Sequence, residues 1–335
     1  MKWLFLLSLV GCAQVTSLNL RKHQFGLLPT KIIWFQIAGL EEEQIAMLRF
    51  QSGDKRTSFE NNICVGKTWN YNLYNLRNPS QVSFLAQMTG KKNIKNTCED
   101  AEMRPIWNYI HANGYSTVIL ESGANPEESL TKFNQCGEKG QLFLGPIYYY
   151  LRGQPAPGAA TFHYSENIPI HSNQLIYDRT CGVNTCGASL TEDFTSIYNK
   201  FLKTSQKHLI IIRDFSYLKA LLKQDWNRGH EILNDIERAY GEALEFTNNS
   251  DYLVMLTTGD SKYVDMPDQG KAWYDYEKNN KNISTKRTKL TNLVLASGSR
   301  AENFCGMYDD TSVFERILSG PKKQGLELTI INPFK

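Results

Sequence analysis

The stretch DIERAYGEALEFTNNSDYLVMLTTGD, residues 235–260, places an amphipathic helix immediately before a buried strand. Ile232, Ile236, Ala239, Ala243 and Phe246 recur at helical spacing, which predicts a helix over residues 229–246 with one apolar face. Asn248, Asn249 and Ser250 then turn the chain. Residues 252–256, YLVML, carry no charge and no polar alternation, the pattern of a strand covered on both faces. Comparable, mostly apolar runs stand at residues 32–37, 115–120, 209–212 and 293–295, with helical stretches between them. The alternation predicts an α/β fold: a three-layer sandwich in which helices cover both faces of a central, mostly parallel sheet.

Two segments interrupt the rhythm. Residues 153–158 are rich in Pro and Gly and follow the run Tyr148-Tyr149-Tyr150. Residues 266–282 are polar and aromatic, and read as a long surface loop that carries Trp273 and Tyr276. No internal repeat and no low-complexity tract is present, which argues against a solenoid.

At the N-terminus, Lys2 precedes an apolar run over residues 3–10 that is too short to span a bilayer. Residues 1–17 are therefore expected to be a signal peptide. The run closes on Leu9-Val10-Gly11-Cys12, which resembles the bacterial lipobox, so Cys12 is the expected lipidation site. An extracytoplasmic envelope lipoprotein follows, periplasmic or at the surface, with ordinary secretion after cleavage near Ser17 as the alternative. Membrane contact is expected only through that anchor. The other cysteines, at 64, 98, 136, 181, 186 and 305, form an even set that favours disulfides in an oxidising compartment, with Cys181 and Cys186 as a local pair. No CxxC pair or finger-like His spacing favours a zinc site among them. A net charge of +3, from 37 basic and 34 acidic residues, is too small to argue for nucleic acid.

Four segments resemble alkaline phosphatases, in that family's order. Residues 235–260 are similar to the helix and strand that lead to its Thr-Ala-Asp-His motif. Residues 287–314, RTKLTNLVLASGSRAENFCGMYDDTSVF, are similar to its final strand and Asp-x-Thr-x-x-Phe helix. Residues 31–40, KIIWFQIAGL, resemble the first strand and its Gly-Asp-Gly turn, and residues 80–92, SQVSFLAQMTGKK, the nucleophile helix with its terminal Thr-Gly. The resemblance implies one alkaline-phosphatase-like domain over residues 18–335, with insertions around 123–207 and 262–286. It also implies Ser80 at the nucleophile position and Asp260 at a metal-ligand position.

In that family a hydroxyl attacks phosphorus while two zinc ions lower its pKa and stabilise the leaving group. The remaining ligand positions depart from the pattern. Ala38 stands for the first Asp, Ser261 for the His after Asp260, and Arg287 for the last His. After the strand ending at Ile212, the acidic, Asp and His positions fall on Arg213, Leu218 and Leu222. The histidines are at 23, 111, 163, 171, 208 and 230, so none supplies the C-terminal ligands. The expectation is a catalytically inactive envelope protein with no cofactor, which binds an anionic small molecule or an envelope protein. Arg213 and Arg287 would bind the anion, supplying positive charge where the family has metal.

The alternative is a phosphoric or sulfuric ester hydrolase with Ser80 as nucleophile and zinc or magnesium as cofactor. Asp260 would then be joined by Asp214, Asp265, Asp268 or Glu302. Plainer roles are available for each residue: Ser80 after Pro79 as a helix N-cap, Asp260 as a turn former, each Arg paired with a nearby carboxylate. A structural scaffold would use the aromatic segment 273–276 against a partner.

Overall fold

The computed structural model describes residues 29–318, apart from 52, 54, 146, 184, 249, 250, 268 and 280; Cys12 and the expected signal peptide lie outside them. The strands are β1 (Lys31–Ala38), β2 (Cys64–Trp69), β3 (Ser116–Ser122), β4 (Tyr148–Arg152), β5 (Ala160–Phe162), β6 (Leu175–Asp178), β7 (His208–Asp214), β8 (Tyr252–Gly259), β9 (Lys262–Asp265), β10 (Ser284–Thr288), β11 (Thr291–Gly298) and β12 (Gly306–Asp309). The helices are α1 (Glu42–Gln51), α2 (Ser80–Thr89), α3 (Ile106–Ile110), α4 (Gly137–Leu144), α5 (Leu190–Thr204), α6 (Ser216–Leu222), α7 (Trp226–Glu245), α8 (Gly270–Asn279) and α9 (Ser312–Leu318).

Ten strands form one sheet in the order β12-β2-β11-β8-β1-β7-β3-β4-β6-β5. Neighbours pair in parallel except at β11, which runs antiparallel to both β8 and β2. β9 and β10 make a separate two-stranded antiparallel ribbon. Residues 123–207 supply β4, β5 and β6, which carry the sheet to its far edge. The sheet is therefore mostly parallel, as the alternating pattern predicts.

β1 shows why both faces are covered. Successive side chains of a strand point to opposite faces. Ile32, Trp34 and Ala38 join one apolar cluster with Phe84, Leu85 and Met88 of α2 and Val313 of α9. Ile33, Phe35 and Ile37 join the other, with Phe194 of α5 and Ile236 and Tyr240 of α7. Phe35 meets Phe194 and Tyr240 at ring-centroid separations of 5.8 and 5.3 Å. Burying an aromatic side chain of this kind contributes roughly 1.5–3 kcal/mol, so the two clusters fix the sandwich from both sides.

Segment 266–282 is a correction to the sequence analysis: most of it is helix α8 and not a loop. Its polar surface is long, and only a narrow face touches the rest of the protein. Tyr276 is fully buried with Met47, Val264 and Ile283, and Trp273 packs on Tyr276 at 5.2 Å and on Phe50 at 5.7 Å. These rings serve packing, so only Tyr274 of the segment presents a large exposed aromatic surface.

Disulfides join Cys64 to Cys305, Cys98 to Cys136 and Cys181 to Cys186. The first ties β2 to the turn that precedes β12. Among the described residues no helix is long and apolar enough to cross a membrane.

Candidate functional site at the strand ends

The parallel strands β3, β7, β1 and β8 deliver polar side chains at matching register. Glu121 of β3, Arg213 of β7, Gln36 of β1 and Thr257 of β8 stand in one row. All four are essentially inaccessible to solvent. Arg213 is the hub: one terminal amino group forms an ion pair with Glu121, the other bonds Gln81 Oε1, and Nε donates to Gln36 Oε1 at 3.2 Å. Its guanidinium also lies 5.8 Å from the Phe84 ring and 5.3 Å from that of Phe215. Glu121 accepts a further hydrogen bond from the Ser129 hydroxyl. Arg213 thus pairs with a carboxylate of its own chain, the plainer of the two roles open to it.

Burial makes this neighbourhood hostile to additional charge. It raises the Tyr149 phenol on β4 well above its ordinary value, with the Glu121 charge adding to the effect. Asp214, the residue after Arg213, is also raised by burial. Its carboxylate accepts the Tyr217 backbone N–H at 3.1 Å, one of the free donors in the first turn of α6.

Helix α2 approaches the same strand ends. Ser80 is its first residue and Pro79 precedes it as the N-cap, without a side-chain cap bond, so Ser80 is not the cap that its position after proline predicts. A Cβ on Gly259 would stand 2.9 Å from Phe84 Cε1 and 3.1 Å from the Ser80 carbonyl oxygen, so the glycine permits the close approach. Gln87 fastens the helix further along, donating to the Thr258 carbonyl at 3.0 Å and accepting from the Thr257 hydroxyl at 2.7 Å.

Asp260 follows Gly259 with a left-handed backbone, φ 53°. Its Oδ1 accepts the Lys262 ammonium at 2.8 Å and the Thr288 hydroxyl at 2.6 Å. Ser261 is buried and bonds the Leu40 carbonyl at 2.9 Å and Asn292 at 3.1 Å. Ser80, Asp260 and Arg213 therefore gather at one end of the sheet. Arg287 is exposed on the ribbon, next to Thr288, whose hydroxyl bonds Asp260.

The other carboxylates considered as ligands are dispersed. Asp265 pairs with Lys286 at 3.3 Å. Glu302 follows the end of antiparallel β11, and Gly298 pairs there with Leu253 at the start of β8, so this turn lies at the opposite end of the sheet. Asp268 lies outside the described residues. Two zinc ions would need a dense set of Asp and His donors. Among the described residues one group of metal-capable side chains is close enough to share an ion, Asp178 with Cys181 and Cys186, and both of its thiols are joined in a disulfide. The residues at the strand ends do not fit the dizinc arrangement.

No model of a protein family matches the chain, and no curated protein matches it. Solved structures do. Alkaline phosphatase from the Antarctic bacterium TAB5 superposes with a TM-score of 0.66 at 12% identity, covering 88% of this chain and 98% of that one. The fold is that of the alkaline phosphatases. The Thermus thermophilus alkaline phosphatase gives a TM-score of 0.69 at 11% identity, over 91% of this chain and 94% of the other. A TAB5 variant with bound Mg gives 0.65 at 13%, over 88% and 98%. At these identities the alkaline-phosphatase likeness is one of backbone architecture.

Glu121, Gln81 and Lys262 were not singled out from sequence. Glu121 had a usable signal, since it is the charged residue that closes an apolar strand, and open α/β sheets carry their ligands beyond the strand C-termini. Lys262 lies two residues after Asp260, yet nothing in the sequence distinguishes it from a solvated lysine.

Proposed function

We propose that this domain is a catalytically silent alkaline-phosphatase-like protein that acts by binding. One observation carries it: two carboxylates at the strand ends are matched to side-chain cations, Asp260 to Lys262 and Glu121 to Arg213. A seryl hydroxyl is a weak nucleophile at neutral pH, and without paired divalent ions Ser80 lacks the activation that phosphoryl transfer on this fold uses. A metal entering here would have to displace an ammonium or a buried guanidinium from its partner.

The test is metal analysis of purified protein together with turnover of chromogenic phosphomonoester, phosphodiester and sulfate ester substrates, with added Zn, Mg, Mn or Ca. No stoichiometric metal and no turnover is the expected result. Two tightly held zinc ions with turnover abolished by Ser80→Ala would establish the rival hydrolase, which the placement of Ser80 beside Gly259 and Asp260 favours. Three disulfides support an extracytoplasmic setting. Lipid labelling of the full chain, lost in Cys12→Ser, tests the proposed anchor.

A further inference from the structure

The hairpin after β6 sets a disulfide against two buried carboxyl groups. Cys181 and Cys186 face each other as an antiparallel bridge, and the Gly182 N–H donates to the Thr185 carbonyl at 2.8 Å to close the turn between them. Asp178, the last residue of β6, is fixed beside them, because Thr180 donates its backbone N–H and its hydroxyl to the two carboxylate oxygens, each at 2.8 Å. Its Oδ2 also stands 3.2 Å from Cys181 Sγ. A disulfide sulfur has no proton to give, so in the oxidised form this contact sets a carboxylate oxygen against a sulfur lone pair. A Cys181 thiol would turn the same contact into a hydrogen bond. Asp178 therefore favours the reduced form, and whatever stabilises the reduced form makes a disulfide easier to reduce.

A second carboxyl group completes the arrangement. Asp193 of α5 is fully buried within hydrogen-bond reach of Asp178, and Arg152 Nε stands 2.9 Å from its Oδ2 without the alignment of a hydrogen bond. Burial pushes the Asp193 carboxyl up to about 8, with Arg152 opposing the shift and Asp178 adding to it, so the carboxyl pair carries a proton at neutral pH. The two sulfurs differ in access. Cys181 is 6% exposed, whereas Cys186 is partly accessible, in a turn where Val183 is 77% exposed. The bridge spans a sequence separation of 5, against 38 and 241 for the other two, so it constrains the unfolded chain least and can open with the domain still folded.

We propose that Cys181–Cys186 is a site of thiol–disulfide exchange whose substrate is a dithiol, with Asp178 delivering the proton to the departing sulfur. One thiolate of the dithiol attacks Cys186 Sγ. The Cys186–Cys181 bond breaks, its electron pair leaves on Cys181 Sγ, and that sulfur takes the proton of the carboxyl pair through Asp178. The second thiolate of the substrate then attacks the first at the mixed disulfide, which closes the oxidised dithiol and releases Cys186 as a thiolate. Two electrons pass from the dithiol to the protein, and the two protons that the dithiol gives to water balance the one taken up by Cys186 and the one that restores the carboxyl pair. The exchange does not depend on whether the strand ends hold metal.

Timed treatment of the intact protein with dithiothreitol, quenched by alkylation and read by peptide mass spectrometry, tests the proposal. Cys181 and Cys186 should be labelled together and before Cys64 and Cys305, and limiting glutathione should be found on Cys186 and not on Cys181. Asp178→Asn keeps the side-chain shape but has no acid proton, and should slow the labelling of this pair by about tenfold or more. A merely structural Asp178 predicts the opposite sign, because a loosened hairpin would expose the bond and speed its reduction. Labelling of Cys98 and Cys136 should be the same in variant and parent. Reduced thioredoxin separates the sources of the dithiol: a rate above that of dithiothreitol at equal thiolate concentration, lowered in Val183→Ser, assigns a protein dithiol, and equal rates assign a small one. Glutathione on Cys181, reduction of this pair no earlier than Cys64–Cys305, or faster reduction in Asp178→Asn overturns the proposal. The first two readings use the parent protein, so they hold even if the variant folds poorly.

Discussion

Arg213 and Glu121 occupy the same register position on neighbouring strands β7 and β3, and their side chains form an ion pair with no solvent exposure on either partner. Removing one partner of such a pair strands the other charge in a low-dielectric interior, which costs about 3–5 kcal/mol, whereas exchanging both for apolar residues is often nearly neutral. Arg213→Met should therefore lower the urea unfolding free energy by that amount, and adding Glu121→Leu should recover most of it. Equal stability of Arg213→Met and the parent would show that Glu121 does not depend on the guanidinium.

The proposed function, with side-chain cations in place of metal, implies indifference to chelators. The melting temperature should agree within about 1 °C in EDTA and in excess zinc. A zinc concentration one hundred times the dissociation constant would add about 2.7 kcal/mol of stability, so a bound ion would be plainly visible in differential scanning calorimetry.

Asp310 gives a pH signature. It is buried against neutral partners, the Thr68 hydroxyl and the Asn292 amide, and desolvation pushes its carboxyl from 3.8 up to about 7. The folded protein thus holds a proton that the unfolded chain releases. Its contribution is fully present below pH 4, declines as pH rises toward 7 and is gone above that. Asp310→Asn should flatten this part of the stability profile and should be more stable than the parent at pH 8, by on the order of 2 kcal/mol.

Gly259 sets the distance between α2 and the end of β8. An added methyl group would meet Phe84 and the Ser80 carbonyl at 2.9 and 3.1 Å. Gly259→Ala should cost about 1–3 kcal/mol through overpacking, measurable by chemical denaturation. A neutral substitution would mean that the helix slides freely on the strand.

Strands β1, β3, β7, β8 and β11 are legible from sequence because a strand buried on both faces shows as an uninterrupted apolar run. Helix α8 was hidden because Trp273 and Tyr276 are too few to mark a helical face against so many polar residues. The site was legible only in part. Glu121 and Arg213 are separated by 92 residues, and strand order in a parallel sheet does not follow chain order, so no local pattern joins them. The same holds for Arg77 and Thr288, 211 residues apart.

The ribbon that carries Lys286 and Arg287 shares no strand with the ten-stranded sheet. Lys286 and Arg287 both stand opposite Tyr263 in it, and deleting either would restore strict alternation and turn one cation away without removing a strand pairing of the main sheet. Register changes in the ribbon are thereby uncoupled from the pairing of the main sheet, so length variation there should cost the scaffold underneath little.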